Sequence, residues 1–397
     1  MQVTLTVNVV LLFAVLAQAV FAAALLWTAP LNRLPNRFLA LLLLSMALWV
    51  LDGLGREANL YGQNPELYFS PIYYSFAFGP LLYFYVQSLL NHRFRLRGQH
   101  VWHFVPVLGQ AALYWVLRFT PYSTRMWFWE HVHQPVTYRV EFIGTWVSLM
   151  VYLVLCLGLL RRYRRWLPEH FSETSQLRLH WLRVLLLVLA LVSAQWLVEV
   201  VLREFYDLYY KYDFSTWLLG GVVLLIGVVG LRQADMQAVE FGPDADETTE
   251  PAAEPITAGP QHEAGAAPSL VPGAEASTAE RPAAAVDPAV LERLRRAFED
   301  DKLYLNPTLT LAELSAHTGL APRLISFTVN QGFGKSFNDA VNGYRVAEVK
   351  RRLANPADVA RLTLLGIAFE SGFNSKTTFN RIFKQFTGVA PSEYRVE

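Results

Sequence analysis

The chain has 397 residues, enough for two or three domains, and 53% of them are hydrophobic while only 17% are charged. Soluble domains carry about a quarter charged residues, so an ordinary soluble chain is excluded. The net charge of +1 selects no partner, and the single cysteine, Cys156, excludes an intrachain disulfide and a cysteine-held metal cluster.

The averages hide a division. Apolar residues crowd the region before Arg232, and charged ones the region after Pro288. A bilayer core takes about 20 apolar residues of helix to cross. The first such run, Val7–Thr28, lacks the basic flank of a cleaved signal peptide and is expected to remain as a helix. The runs Phe38–Gly55, Pro71–Asn91, Val101–Thr120, Phe142–Leu160, Trp181–Val201 and Thr216–Leu231 follow, predicting seven crossings. Pro80 and Pro106 are expected to kink their helices.

Basic residues in short loops set orientation. With the N-terminus outside, the inner loops carry Arg33, Arg37, Arg93, Arg95, Arg97, Arg161, Arg162, Arg164, Arg165 and Arg178. Basic residues on the other side are diluted by Glu57, Glu66, Glu130, Glu204, Asp207 and Asp213. An odd number of crossings then brings the C-terminus into the cytoplasm. Residues 1–232 are thus expected to form a seven-helix, sensor-like membrane domain.

The outer loops are short, so a signal must act on the bundle, its loops, the lipid or a partner protein. Ionisable residues within spans are costly and often functional. Asp52 and Glu199 fall toward the outer ends of their helices, and Tyr73, Tyr74 and Gln195 lie at similar depth. Together they outline a candidate small-molecule pocket. The plainer reading puts the acids at the water interface and the aromatics in a belt. Glu130, His131 and His133 are metal-ligand types, but both histidines face one way only on extended chain. Trp127 and Trp129 beside them point to an interfacial segment instead, and no metal or cofactor is assigned.

From Gln233 to Asp287 the chain turns rich in Ala, Pro, Glu, Gly and Thr, and it has no aromatic residue between Phe241 and Phe298. Such a stretch buries too little apolar surface to offset its ordering entropy. Residues 233–287 are expected to be a disordered acidic linker, reaching about 40 Å as a flexible coil.

Residues 288–397 are expected to be helical. Thr310-Leu311-Ala312-Glu313 has the form of a capping box, Thr318-Gly319-Leu320 makes a turn, and Pro322 suits the start of a second helix burying Leu324 or Ile325 with Val329. This is helix, turn, helix. The pattern recurs with Leu364, Ile367 and Ala368, then Gly372-Phe373, then a helix capped by Ser375 that buries Phe379 and Phe383 and ends near Gly388. Ser336–Leu353 predicts one connecting helix, about 27 Å long, able to set two recognition helices into successive major-groove segments. Gly334-Lys335-Ser336 is not a phosphate loop, since Val329 stands where its first glycine is required.

The stretches YLNPTLTLAELSAHTGL, GKSFNDAVNGYRVAEVKRRL and IAFESGFNSKTTFNRIFKQFTGVAPSEYR resemble the AraC/XylS family of bacterial regulators. The resemblance covers about the last hundred residues. It implies an all-α fold, two helix-turn-helix motifs joined by a helix, and binding to double-stranded promoter DNA. It also implies a bacterial source, so the membrane read from the apolar runs is expected to be the bacterial cytoplasmic membrane. Carried over by position, the exposed residues of the second recognition helix are Lys376, Thr377, Asn380 and Arg381, and those of the first are Arg323, Ser326 and Phe327. Arginine can contact guanine and asparagine adenine, each bidentately. The first motif departs from the family. Phe327 stands where arginine is common, and Ala321 replaces the usual serine cap. Phe327 either contacts a thymine methyl or covers the core. Arg345, Lys350, Arg351 and Arg352 form a basic stretch on the connecting helix, read as a solvated face or as phosphate contacts.

The expected function is a one-component regulator, not an enzyme. Its expected partners are promoter DNA, membrane lipid, RNA polymerase, a second copy of the chain and an unidentified small-molecule or protein signal. Alternatives are a transporter or membrane enzyme whose tail regulates its own gene, and a tether holding DNA at the membrane. No repeated halves and no cluster of catalytic residues at one membrane level support the former.

Overall fold

Helices build both halves of the chain, and among the described residues the β-pairing is one isolated bridge, between Phe171 and Thr310. The structure, a computed structural model, describes residues 5–174, 179–206, 214–230, 241 and 286–395. Most of the expected linker, 233–287, lies outside the described residues. The chain divides into two units, Met1–Arg165 with Gln176–Pro243, and Trp166–Ser175 with Asp244–Glu397.

The first unit opens with α1 (Val7–Thr28), whose N-terminus is capped by Thr6: its Oγ1 accepts from the Val9 N–H at 3.3 Å. α2 (Arg33–Glu57) follows, then the short α3 (Leu60–Gln63), α4 (Phe78–Leu90) and α5 (Val105–Arg118). α6 (Tyr122–Phe128), a π-helical stretch Trp129–Thr137 and α7 (Tyr138–His170) make one helical run. The expected outer loop there is helical. Pro135, with no N–H to donate, falls within the widened π turns. α8 (His180–Tyr206) and α9 (Phe214–Val229) complete the unit.

Four of these runs are long and apolar enough to cross a membrane: α1, α2, Tyr122–His170 and α8. Each of the seven expected spans overlaps a helix, but α4, α5 and α9 are shorter. The prolines explain two of them. Pro80 is the third residue of α4 and Pro106 the second of α5, and each helix is preceded by a 3₁₀ turn, Ser75–Ala77 and Gly98–Phe104. Neither stands in the middle of its α-helix. A first-turn N–H has no intrahelical acceptor, so proline there starts a helix at little cost. Long apolar side chains still face outward, among them Phe13 and Phe21 on α1 and Leu187 and Leu191 on α8. A helix apolar on all sides suits hydrocarbon rather than water.

The second unit contains α10 (Pro288–Glu299), α11 (Leu311–Thr318), α12 (Pro322–Gly332), α13 (Phe337–Leu353), α14 (Pro356–Arg361), α15 (Leu364–Glu370) and α16 (Lys376–Thr387). It has two cores strung along α13. Phe337, Ala340 and Val341 join Leu294, Leu314 and Ile325, while Val346 and Val349 join Ile367, Phe379 and Phe383. Residues 166–175 belong to this unit. The Asn338 amide donates to the Ser172 carbonyl at 2.7 Å, and the Ser172 N–H donates to the Leu309 carbonyl at 3.1 Å.

Gly372 stands at φ +93°, and a Cβ there would lie 2.4 Å from the Tyr304 carbonyl oxygen and 3.0 Å from the Arg345 Nε. Both the left-handed backbone and the close approach require glycine. Gly372→Ala is expected to destabilise the second unit by roughly 3 kcal/mol or more. Hydrogen exchange of α15 and α16 amides in the full chain should show the loss, and unchanged protection would refute the steric argument.

Candidate functional site

Two helix-turn-helix motifs present their second helices through matched local devices. In the first, the Thr310 Oγ1 accepts from the Glu313 N–H at 3.1 Å and the Glu313 carboxylate accepts from the Thr310 N–H at 2.8 Å. Gly319, at φ +66°, ends α11, and Pro322 opens α12 with no side-chain cap from Ala321. In the second, Ser375 caps α16, its Oγ accepting from the Thr378 N–H at 3.4 Å, and Gly388 ends the helix in the left-handed conformation.

α16 is strongly two-sided. Phe379, Ile382 and Phe383 are buried, which turns Lys376, Thr377, Asn380 and Arg381 to solvent. Lys384 and Gln385 continue the same two rows one turn on. They extend the face beyond the residues expected from sequence, and the four-residue spacing from Asn380 and Arg381 was the signal for them. On α12, Ile325 and Val329 are buried, Arg323 is exposed, and Ser326 and Phe327 are half-buried. Leu324 is exposed, so Ile325 is the anchor.

Residues 314–397 match the family model of a helix-turn-helix domain. The second motif and the connecting helix of that match are those just described. Residues 314–397 are an AraC-type helix-turn-helix domain. Uncharacterized HTH-type transcriptional regulators of Staphylococcus aureus strains COL and MSSA476 are each 31% identical over 104 residues. Those residues are 26% of this chain and 13% of each relative, so the chain matches only about an eighth of their length. No solved structure matches the chain.

Within the AraC-type domain, partners sort the basic residues. Among the described residues Arg323, Lys376, Arg381 and Lys384 make no ion pair, leaving their charges available to an external anion. The basic stretch on α13 is otherwise engaged. Arg345 is 1% exposed and donates to the Tyr304 carbonyl at 2.8 Å, the Asn306 carbonyl at 2.7 Å and the Ser172 Oγ at 3.2 Å. That corrects its reading as a solvated or phosphate-contacting residue. Arg351 and Arg352 both donate to Glu348, at 2.6 and 2.8 Å, and Arg352 also reaches Glu370 at 2.6 Å. The Lys350 ammonium lies 5.4 Å from the Tyr394 ring centroid.

The first unit holds a cavity of about 280 Å³. Asp52 and Tyr73 line it. Tyr74, Gln195 and Glu199, grouped with them from sequence, are not among its lining residues. Glu199 is 1% exposed and accepts from the Ser215 N–H at 2.7 Å, the Ser215 hydroxyl at 3.0 Å and the Gln195 amide at 2.9 Å. It also pairs with Arg203, whose guanidinium reaches the cavity. Arg56, Glu141 and a set of aromatic rings, not foreseen from sequence, complete the lining. His131 and His133 bond separately, to the Trp127 carbonyl and the Thr137 hydroxyl. Among the described residues no three His, Cys, Asp or Glu side chains gather as metal ligands.

Hydrogen bonds from Arg351, then Arg352, hold the Glu348 carboxyl down to about 2 from its ordinary 4.5. A depressed carboxyl pKa contributes stability that is complete above the ordinary value and is lost as pH falls toward the folded one. Glu348→Gln is therefore expected to cost the domain on the order of 2 kcal/mol at neutral pH. It should also flatten the loss of stability between about pH 4.5 and 2. Pulse proteolysis of the full chain across that range measures both, and an unaltered pH profile would contradict the assignment.

Proposed function

We propose that this protein is a membrane-embedded transcription regulator that binds promoter DNA through its C-terminal domain and takes its signal through its membrane domain. Residues 1–232 form the bundle, crossing seven times with the N-terminus outside, residues 233–287 tether it, and residues 288–397 read DNA in the cytoplasm of a bacterium. What carries the reading is α16. Lys376, Asn380 and Arg381, with no ion pair among the described residues, project from a helix pinned by Phe379 and Phe383. Asparagine and arginine on such a helix suit bidentate contact with adenine and guanine, and Lys376 suits guanine or phosphate. Arg323, Ser326 and Phe327 on α12 form the second contact region. Support for the membrane part comes from four helices of sufficient length and from their outward apolar side chains. Lipid is then a standing partner, and RNA polymerase and a second copy of the chain are the partners through which occupancy becomes regulation.

Crosslinking and immunoprecipitation of the intact protein, beside Asn380→Ala with Arg381→Ala, tests the DNA-binding role. Discrete promoter peaks are expected, with affinity reduced on the order of a hundredfold in the double variant. Peaks that persist unchanged in the variant would sink the assignment of α16. A phosphatase active only outside the cytoplasm, fused to the C-terminus, is expected to stay inactive. Activity there would overturn the odd number of crossings.

A further inference from the structure

We propose that the cavity of the first unit binds a small organic cation, an amine or quaternary ammonium on an apolar body, with Glu141 as its counter-ion. The proposal rests on the reading of this unit as the signal input and names the chemistry of the signal.

The argument begins with charge. Four of the charged groups in or against the cavity are mutually matched. Asp52 is paired with Arg56 and accepts from the hydroxyls of Tyr61, at 2.7 Å, and Tyr73. Arg203 is paired with Glu199 from behind and lies 4.0 Å from the Phe142 ring centroid. Glu141 is left over. Its Oε2 accepts from the Tyr114 hydroxyl at 2.7 Å, and among the described residues it has no cationic partner. Neutral donors only partly offset the burial of a carboxylate. An incoming cation completes the charge balance, whereas an incoming anion meets two guanidiniums that already have carboxylates.

The walls suit the same ligand. Tyr73 and Tyr114 stack with centroids 4.5 Å apart, and Tyr68, Phe69 and Trp129 stand beside them. Ring faces attract cations that have shed water, most strongly in a partly enclosed site. The Arg203–Phe142 contact is an instance already present in this wall. Phe69 sits at φ +59°, a left-handed backbone that a bulky residue rarely adopts. It is held there by packing against Tyr114, Phe128 and His133. Such strain is concentrated at ligand clamps and switch regions.

The test uses the detergent-solubilised full chain without DNA. Tryptophan fluorescence, to which Trp49 and Trp129 of the cavity wall contribute, is titrated with tetramethylammonium, choline, benzylamine and tryptamine. The uncharged choline analogue 3,3-dimethylbutanol is the control. At least one cation is expected to bind saturably, and at least tenfold more tightly than the neutral analogue is bound. Glu141→Gln is expected to remove that preference, and Glu141→Asp, which keeps the charge, to retain most of it with an unchanged melting profile. Binding by no cation, equal binding of the neutral analogue, or an unaltered preference in Glu141→Gln overturns the proposal. Saturable cation binding that leaves promoter occupancy untouched supports the site and instead overturns the bundle's role as signal input.

Discussion

Arg345 puts a guanidinium where two hydrophobic cores meet. The joining of those two cores depends on that group being satisfied. A buried cation without partners is costly, and this one is bound by two backbone carbonyls and a serine hydroxyl. Those carbonyls, of Tyr304 and Asn306, belong to the segment leading into the first helix-turn-helix, and the arginine rises from the helix that leads into the second. Gly372 comes up against the same Tyr304 carbonyl from the second motif. One polar seam therefore fixes the spacing of two apolar clusters, and with it the relative setting of two recognition helices. Apolar packing alone would leave that setting more tolerant, because hydrophobic contact is not directional.

The same charge accounting separates structural from outward-acting cations. Arg351, Arg352 and Arg361 converge on Glu348 and Glu370. Their attraction is spent inside the domain. Among the described residues the cations of α12 and α16 make no such ion pair.

Much of this was legible in the sequence because it is governed by local rules. α1 ends where its apolar run ends, and the capping box at Thr310 and Glu313, the cap at Ser375 and the stop at Gly388 are where their residue types put them. Arg345 was misread because four basic residues near one another suggest a surface. Its spacing says otherwise, since Val341, Arg345 and Val349 recur every four residues on one face. α14 was missed, although Asn355 and Pro356 form a cap and first position there. The π-helical stretch and the cavity could not have been read locally. Glu141 meets Tyr114, and Tyr73 meets Asp52, only once separate helices have packed.

Part of the cavity wall comes from places where regular helix gives out, and the rest from α2, α3, α5, α7 and α8. Tyr68, Phe69 and Tyr73 lie between α3 and α4, and Trp129 and His133 lie in the π-helical stretch. Proline starts α4 late, which leaves room for that irregular wall. Outward apolar side chains and cavity-lining ones are therefore different residues even where they share a helix, as Leu187, Leu191 and Arg203 do on α8. A substitution in the lining need not disturb the outward apolar face, and the outer face can vary without touching the cavity.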